Sequence, residues 1–123
     1  MRFMLMIKST PASEAGLPPD PALMAAVARK TEEGFRAGTL IDTGGLAPSS
    51  QGARVRVRGG RVRVTDGPFT EAKELIGGYA IVEAASREEA IRIGEEFMQL
   101  HADVLGPSYE GEMEVRQVFQ APR

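Results

Sequence analysis

Residues 54–64 read Arg54-Val55-Arg56-Val57-Arg58-Gly59-Gly60-Arg61-Val62-Arg63-Val64, and their alternation about a glycine pair decides how the rest of the chain divides. Both glycines accept the positive φ that a two-residue hairpin turn requires. The turn then sets the register: Arg58 faces Arg61, Val57 faces Val62, Arg56 faces Arg63 and Val55 faces Val64. Valines cover one face of the hairpin, and Arg54, Arg56, Arg58, Arg61 and Arg63 cover the other. Like charges placed opposite one another cost stability unless anions stand nearby. The chain's own Glu71, Glu74 or Glu83 can supply them, as can a partner's surface, an anionic ligand or a nucleic acid.

Upstream of the hairpin, Leu40 and Ile41 open a short strand that is expected to dissolve at Gly44 and Gly45, followed by a loop through Pro48 and Gly52. Before it, Asp20 and Pro21 start a helix by pairing a capping side chain with a proline at the first helical position. Met24, Val27, Ala28, Thr31 and Phe35 make its apolar stripe over Leu23 to Ala37, and Gly38 ends it. Ser9 to Pro21 is expected to be a loop. Phe3 to Ile7 is apolar on both alternations and reads as a strand buried on both faces.

Downstream, Gly77 and Gly78 lead into a strand from Tyr79 to Ala84 that is again apolar on both faces. Ser86 and Glu89 form a capping box for a second helix, whose buried stripe is Ala90, Ile93, Phe97 and Leu100 and which Gly106 and Pro107 stop. Glu112 to Phe119 closes the chain as a strand. Strand, helix, strand, hairpin, strand, helix, strand is the split βαβ plan: an α+β, ferredoxin-like sandwich with an inserted β-hairpin, in one domain over residues 1–123. Both helices then cover one sheet face. The first and third main strands are apolar on the other face too, which predicts a homodimer packed through that open face.

Composition narrows the functional classes. The chain has 123 residues, 42% of them hydrophobic and 26% charged, and no cysteine, so disulfides, thiolate nucleophiles and cysteine zinc sites are excluded. The short apolar start lacks a cleavage site, and no apolar run approaches the ~20 residues that span a bilayer. A soluble, cytoplasmic protein is the expectation. A net charge of -2 argues against a dedicated nucleic-acid binder. The glycine pairs match neither a phosphate loop nor a dinucleotide fingerprint, so no cofactor is implied, and a single histidine implies no histidine-rich metal site.

One further stretch carries chemistry: Asp66-Gly67-Pro68-Phe69-Thr70-Glu71-Ala72-Lys73-Glu74. Asp66 can hydrogen-bond the backbone of its own turn, Gly67 permits the reversal, Pro68 stiffens it and Phe69 can anchor it in the core. Preceded by Val62 to Thr65 and followed by Gly77-Gly78-Tyr79, this stretch resembles the signature of the DGPF subgroup of YCII-related proteins. The resemblance extends to the opening strand, the Gly59-Gly60 hairpin and the closing strand at Val115 and Arg116. It implies a domain of the dimeric α/β-barrel type with a cleft for acid-base chemistry. It also implies an association, for some members, with extracytoplasmic-function sigma factors. In the broader family a histidine of the first helix pairs with an aspartate. The first helix here has no histidine, which leaves Asp66 as the counterpart of that pair.

Two classes of function follow. One is a cofactor-independent lyase or isomerase acting on a small molecule, with Asp66, Lys73 and Glu74 as catalytic groups and Phe69, Tyr79 and His101 lining the substrate cleft. His101 lies near the end of the second helix, where a helix-capping role competes with that of a proton shuttle. The other class is a non-catalytic binding or regulatory dimer that works through the arginine hairpin, beside a sigma factor. A cavity reaching Asp66 separates the two.

Overall fold

The apolar run at the N-terminus becomes the strand around which the chain is built. In a computed structural model, which describes residues 1–71 and 74–120, β1 (Arg2–Lys8) pairs antiparallel with both β5 (Ile76–Glu83) and β6 (Met113–Gln117). On its far side β5 pairs with β2 (Leu40–Gly45), giving the order β2-β5-β1-β6. Helix α2 (Pro21–Ala37) joins β1 to β2, and β5 lies between those two parallel strands, which is the split βαβ arrangement. Helix α3 (Arg87–Leu105) joins β5 to β6. The strand order is ferredoxin-like, and no closed barrel forms among the described residues. No helix among them is long and apolar enough to cross a membrane.

Register decides which side chains meet. Phe3 lies opposite Val82 and Leu5 opposite Ala80 and Val115, so these residues share one sheet face. Phe3, Leu5 and Val82 are buried there with Ala84 and Ala90, and Leu40, Ile93, Met113 and Val115 pack around them. Burying a side chain of the size of Phe3 or Leu5 contributes about 1.5–3 kcal/mol. Each long helix approaches this face at a glycine. A Cβ on Gly34 would stand 3.0 Å from the Leu40 Cβ, and one on Gly94 would stand 3.0 Å from the Met113 sulfur. The opposite face carries Met4, Met6, Tyr79 and Ile81, which neither long helix covers.

The helix ends follow the expected chemistry. The Asp20 carboxylate accepts from the backbone N–H groups of Ala22 and Leu23, and Gly38 closes α2 at φ 77°. Ser86 accepts from Glu89 N–H, while the Glu89 carboxylate reaches past Ser86 to the N–H of Ala85. The buried stripe of α2 differs from the expected one. Leu23, Ala26, Val27, Lys30, Thr31 and Gly34 turn inward, whereas Met24 is 55% exposed and Phe35 is 48% exposed. The close seat of Gly34 on Leu40 sets that rotation. The segment expected to be a loop contains a four-residue helix, α1 (Pro11–Glu14), capped reciprocally by Thr10 and Ser13. Strand β2 continues through Gly44 because the ring of Tyr79 passes where a Cβ would stand, 2.9 Å away.

The hairpin has the register read from its alternation, and Gly59 and Gly60 take φ values of 58° and 75°. Its strands β3 (Ala53–Arg58) and β4 (Arg61–Asp66) form a separate two-stranded ribbon. Only its base is fastened. Gly67 donates its N–H to Gly52 O at 2.9 Å, and its α-carbon lies so near Ser49 O that a Cβ would overlap it at 1.7 Å. The Ser49 hydroxyl accepts from Phe69 N–H at 2.9 Å and donates to Glu14, which also accepts from Ser49 N–H at 2.7 Å. Arg54 stacks 3.9 Å from the centre of the Phe69 ring and pairs with Glu71 at 3.2 Å. The Asp66-Gly67-Pro68-Phe69 stretch is therefore a clip between the ribbon and α1.

The clip is held by charge as well as shape. Hydrogen bonds from the Ser49 hydroxyl and backbone hold the Glu14 carboxyl below its ordinary value of 4.5. Glu71 is likewise lowered, first by a backbone hydrogen bond of its own and then by Arg54. A depressed carboxyl contributes stability that is complete above its unfolded value and lost as pH falls through its folded value. Hydrogen exchange at Phe69 N–H should accordingly accelerate, relative to core amides, as pH drops below about 4.5. Ser49→Ala should cost about 1–2 kcal/mol in thermal or urea unfolding. Gly67→Ala should cost about 1–3 kcal/mol through overpacking against Ser49.

Candidate functional site

The two helices touch the sheet closely at Gly34 and Gly94, and the space between those seats is not filled. Small residues on the facing surfaces, Ala80 and Gly78 on β5 and Thr31 on α2, leave a cavity of about 560 Å³ between α2, α3 and the sheet. Leu5, Val27, Leu40, Ile93 and Phe97 supply much of the apolar wall. At one end Gly44, Gly45, Gly77 and Gly78 present backbone in place of side chains. At Gly77 this is enforced, since a Cβ would stand 3.2 Å from Ser9. Lys30 and Glu96 also line the cavity and join α2 to α3 by an ion pair of 3.0 Å. Both are solvent-accessible, so the pair adds on the order of 0–1 kcal/mol and does not lock the helices together.

His101 is the buried polar side chain of this region, 7% exposed, and it borders the cavity. Its Nδ1 lies 2.9 Å from the carbonyl oxygen of Phe97. A carbonyl oxygen can only accept, so Nδ1 carries the proton and donates it. In the neutral ring Nε2 then keeps its lone pair. Phe97 and Tyr109 flank the imidazole, with ring centroids at 4.7 and 5.7 Å. Burial raises the Tyr109 phenol above its ordinary value of 10.0. Helix α3 continues to Leu105, so His101 belongs to the inward stripe that runs through Ala90, Gly94 and Phe97.

The residues singled out in the sequence fall in two places. Tyr79 and His101 border the cavity, but the Tyr79 ring lies over Gly44 on the sheet face away from the helices. Asp66 and Phe69 lie at the base of the ribbon, where Asp66 is exposed opposite Ala53 at the end of β4 and Phe69 is half-buried under Arg54. Among the described residues the Asp66 carboxylate has no hydrogen-bond partner, and Asp66 is absent from the cavity wall. Glu74 is exposed and also outside the wall. Lys73 lies outside the described residues.

Thr31 reaches the cavity from the stripe expected to face inward, whereas Lys30 and Glu96 line it with no signal in the local sequence. The repeat at 90, 94, 97 and 101 was the available signal that His101 faces inward. Among the described residues, no three His, Asp or Glu side chains gather closely enough to hold a metal ion.

An uncharacterised protein of Rhizobium meliloti (strain 1021) is 38% identical over 68 residues, which are 55% of this chain and 52% of that protein. The match thus spans about half of each. The model of the YCII-related domain matches residues 1–120. On that match across nearly its whole length, the chain belongs to the YCII-related family.

Proposed function

We propose that this YCII-related protein binds a small, mainly apolar molecule between α2 and α3 and acts on it by acid-base chemistry without a cofactor, as a lyase or isomerase does. The observation that carries the reading is a largely apolar cavity of about 560 Å³ bordered by one buried imidazole whose Nδ1 is already engaged. Pockets of ~300–1,000 Å³ with apolar walls and a few placed polar groups are the usual form of a small-molecule site. A proton-transfer group must be held in position, and the Phe97 carbonyl does this for His101. Nε2 is the atom that takes the proton from the substrate or returns it. Thr31 and Thr39 of the wall carry hydroxyl groups available to orient a polar end of the substrate.

Acid-base chemistry at Asp66, with Lys73 and Glu74, would instead lie outside this cavity, since neither Asp66, at the ribbon base, nor Glu74 is part of its wall. A second reading, a regulatory dimer beside an extracytoplasmic-function sigma factor, is favoured by the exposed arginines and valines of the ribbon. In either reading the protein is a homodimer through the sheet face that carries Met4, Met6, Tyr79 and Ile81.

Ligand-observed NMR against a library of small neutral and monoanionic compounds tests the site. Bound compounds are expected to shift the His101 ring and Phe97, and Ala80→Leu, which fills the cavity, should weaken them at least about tenfold. Shifts confined to Asp66 and Phe69 would contradict the reading. For a compound that is turned over, His101→Asn should lower the rate by about 10²–10⁴-fold. Loss of turnover on Asp66→Asn, with His101→Asn still active, would move the chemistry to the ribbon base.

A further inference from the structure

The ribbon separates charge that the whole chain averages out. Residues 53–66 hold five arginines against one aspartate, a charge of +4, so a chain of net charge -2 carries -6 elsewhere. Register puts Arg58 opposite Arg61, Arg56 opposite Arg63 and Arg54 opposite Thr65 on one face. Asp66, the ribbon's one acid, lies opposite Ala53 and shares the other face with the valines.

The base of the arginine face is neutralised and the rest is not. Arg54 pairs with Glu71 at 3.2 Å and stacks on Phe69. Arg56, Arg58, Arg61 and Arg63 are exposed and have no carboxylate partner among the described residues. Residues 72, 73 and 121–123 contain no Asp or Glu that could supply one. Like charges held opposite one another are unfavourable in water and become favourable against a close row of anions.

We propose that the arginine face binds the phosphate backbones of double-stranded DNA, with the ribbon lying in the major groove. Two strands about 4.8 Å apart make a body that a groove about 12 Å wide admits. Strands of six residues extend about 20 Å, the rise of about six base pairs. Arginine stems reach sideways past the ribbon's edges, where the two phosphate backbones flank the groove, and the planar guanidinium matches a phosphate in two hydrogen bonds. The deep, narrow major groove of duplex RNA does not admit the same body. A duplex presents anions alone, which suits a face whose side chains, apart from Thr65, are all cations. The valine face takes no part in the contact. The -6 on the remainder of the chain repels phosphate and confines the contact to the ribbon, so the binding is weak and independent of sequence.

Fluorescence anisotropy of a labelled DNA duplex of about 20 base pairs, titrated with the full chain at several salt concentrations, tests this. Four phosphate contacts give a slope of roughly -3 to -4 in log K against log salt, so affinity should fall on the order of a hundredfold between about 50 and 200 mM salt. Arg58→Ala with Arg61→Ala should weaken binding at least about tenfold at the lower salt and reduce the slope by about 2. Arg58→Lys with Arg61→Lys keeps the charge and should keep the slope. Arg92→Ala removes an exposed arginine of α3 and should leave the slope unchanged. Circular dichroism and thermal unfolding should be unaltered in the alanine variant, since it relieves a like-charge pair. A duplex left unbound at about 50 mM salt, where even four contacts should hold it, would overturn the proposal. So would duplex binding that the alanine variant retains in full, or binding of poly-glutamate or phosphatidylglycerol vesicles in preference to the duplex.

Discussion

Strand β1 is the constraint on which the other elements depend. It pairs on both edges, and Phe3 and Leu5 are almost wholly buried on the face that receives the helices. Two short side-chain sets, Leu40 on β2 and Met113 with Val115 on β6, then set where α2 and α3 come down. Each helix meets its set at a glycine, so the helix backbones lie close to the sheet at those points. The cavity is a consequence of the same geometry. Two helices seated at Gly34 and Gly94 over a strand carrying Gly78 and Ala80 meet through Lys30 and Glu96 and leave space unfilled between themselves and the sheet.

The stretch that marks the family has a physical role of its own. Gly67 is the residue type that fits against Ser49, and Ser49 holds Phe69 by one hydrogen bond and Glu14 by two. Arg54 covers Phe69 from the ribbon side. These contacts orient the ribbon relative to α1, and the orientation matters in proportion to what the ribbon reaches. The turn fastens the ribbon's base, and neither Asp66 nor Phe69 is part of the cavity wall that His101 borders.

The parts legible in the sequence are those with a single arrangement open to them. Alternating valine and arginine about Gly59 and Gly60 allow one hairpin register, and Asp20, Gly38, Ser86 and Gly106 mark helix ends by chemistry that acts within a few residues. Strand order followed because a split βαβ plan accounts for the succession of elements. The inward stripe of α2 was legible only in part: Met24 and Phe35 fit a helical period, but the contact of Gly34 with Leu40 rotates them outward. Glu14 and Ser49 are separated by 35 positions, and nothing in either local sequence announces their hydrogen bonds. The cavity was not legible because it consists of missing volume, which depends on the spacing of elements and not on any motif. His101 was legible as an unusual residue, but its role required knowing that α3 runs past it to Leu105.

The proposed site depends on His101 donating from Nδ1 to the Phe97 carbonyl and turning Nε2 toward the cavity it borders. Long-range proton–nitrogen correlation NMR on ¹⁵N-histidine-labelled protein, recorded above neutral pH with and without a bound cavity ligand, reads this directly, since the chain has one histidine. The Nδ1–H tautomer is expected, with a Nε2 resonance that moves when the cavity is filled. An Nε2–H tautomer, or a Nε2 resonance indifferent to a ligand that contacts Phe97, would contradict this arrangement.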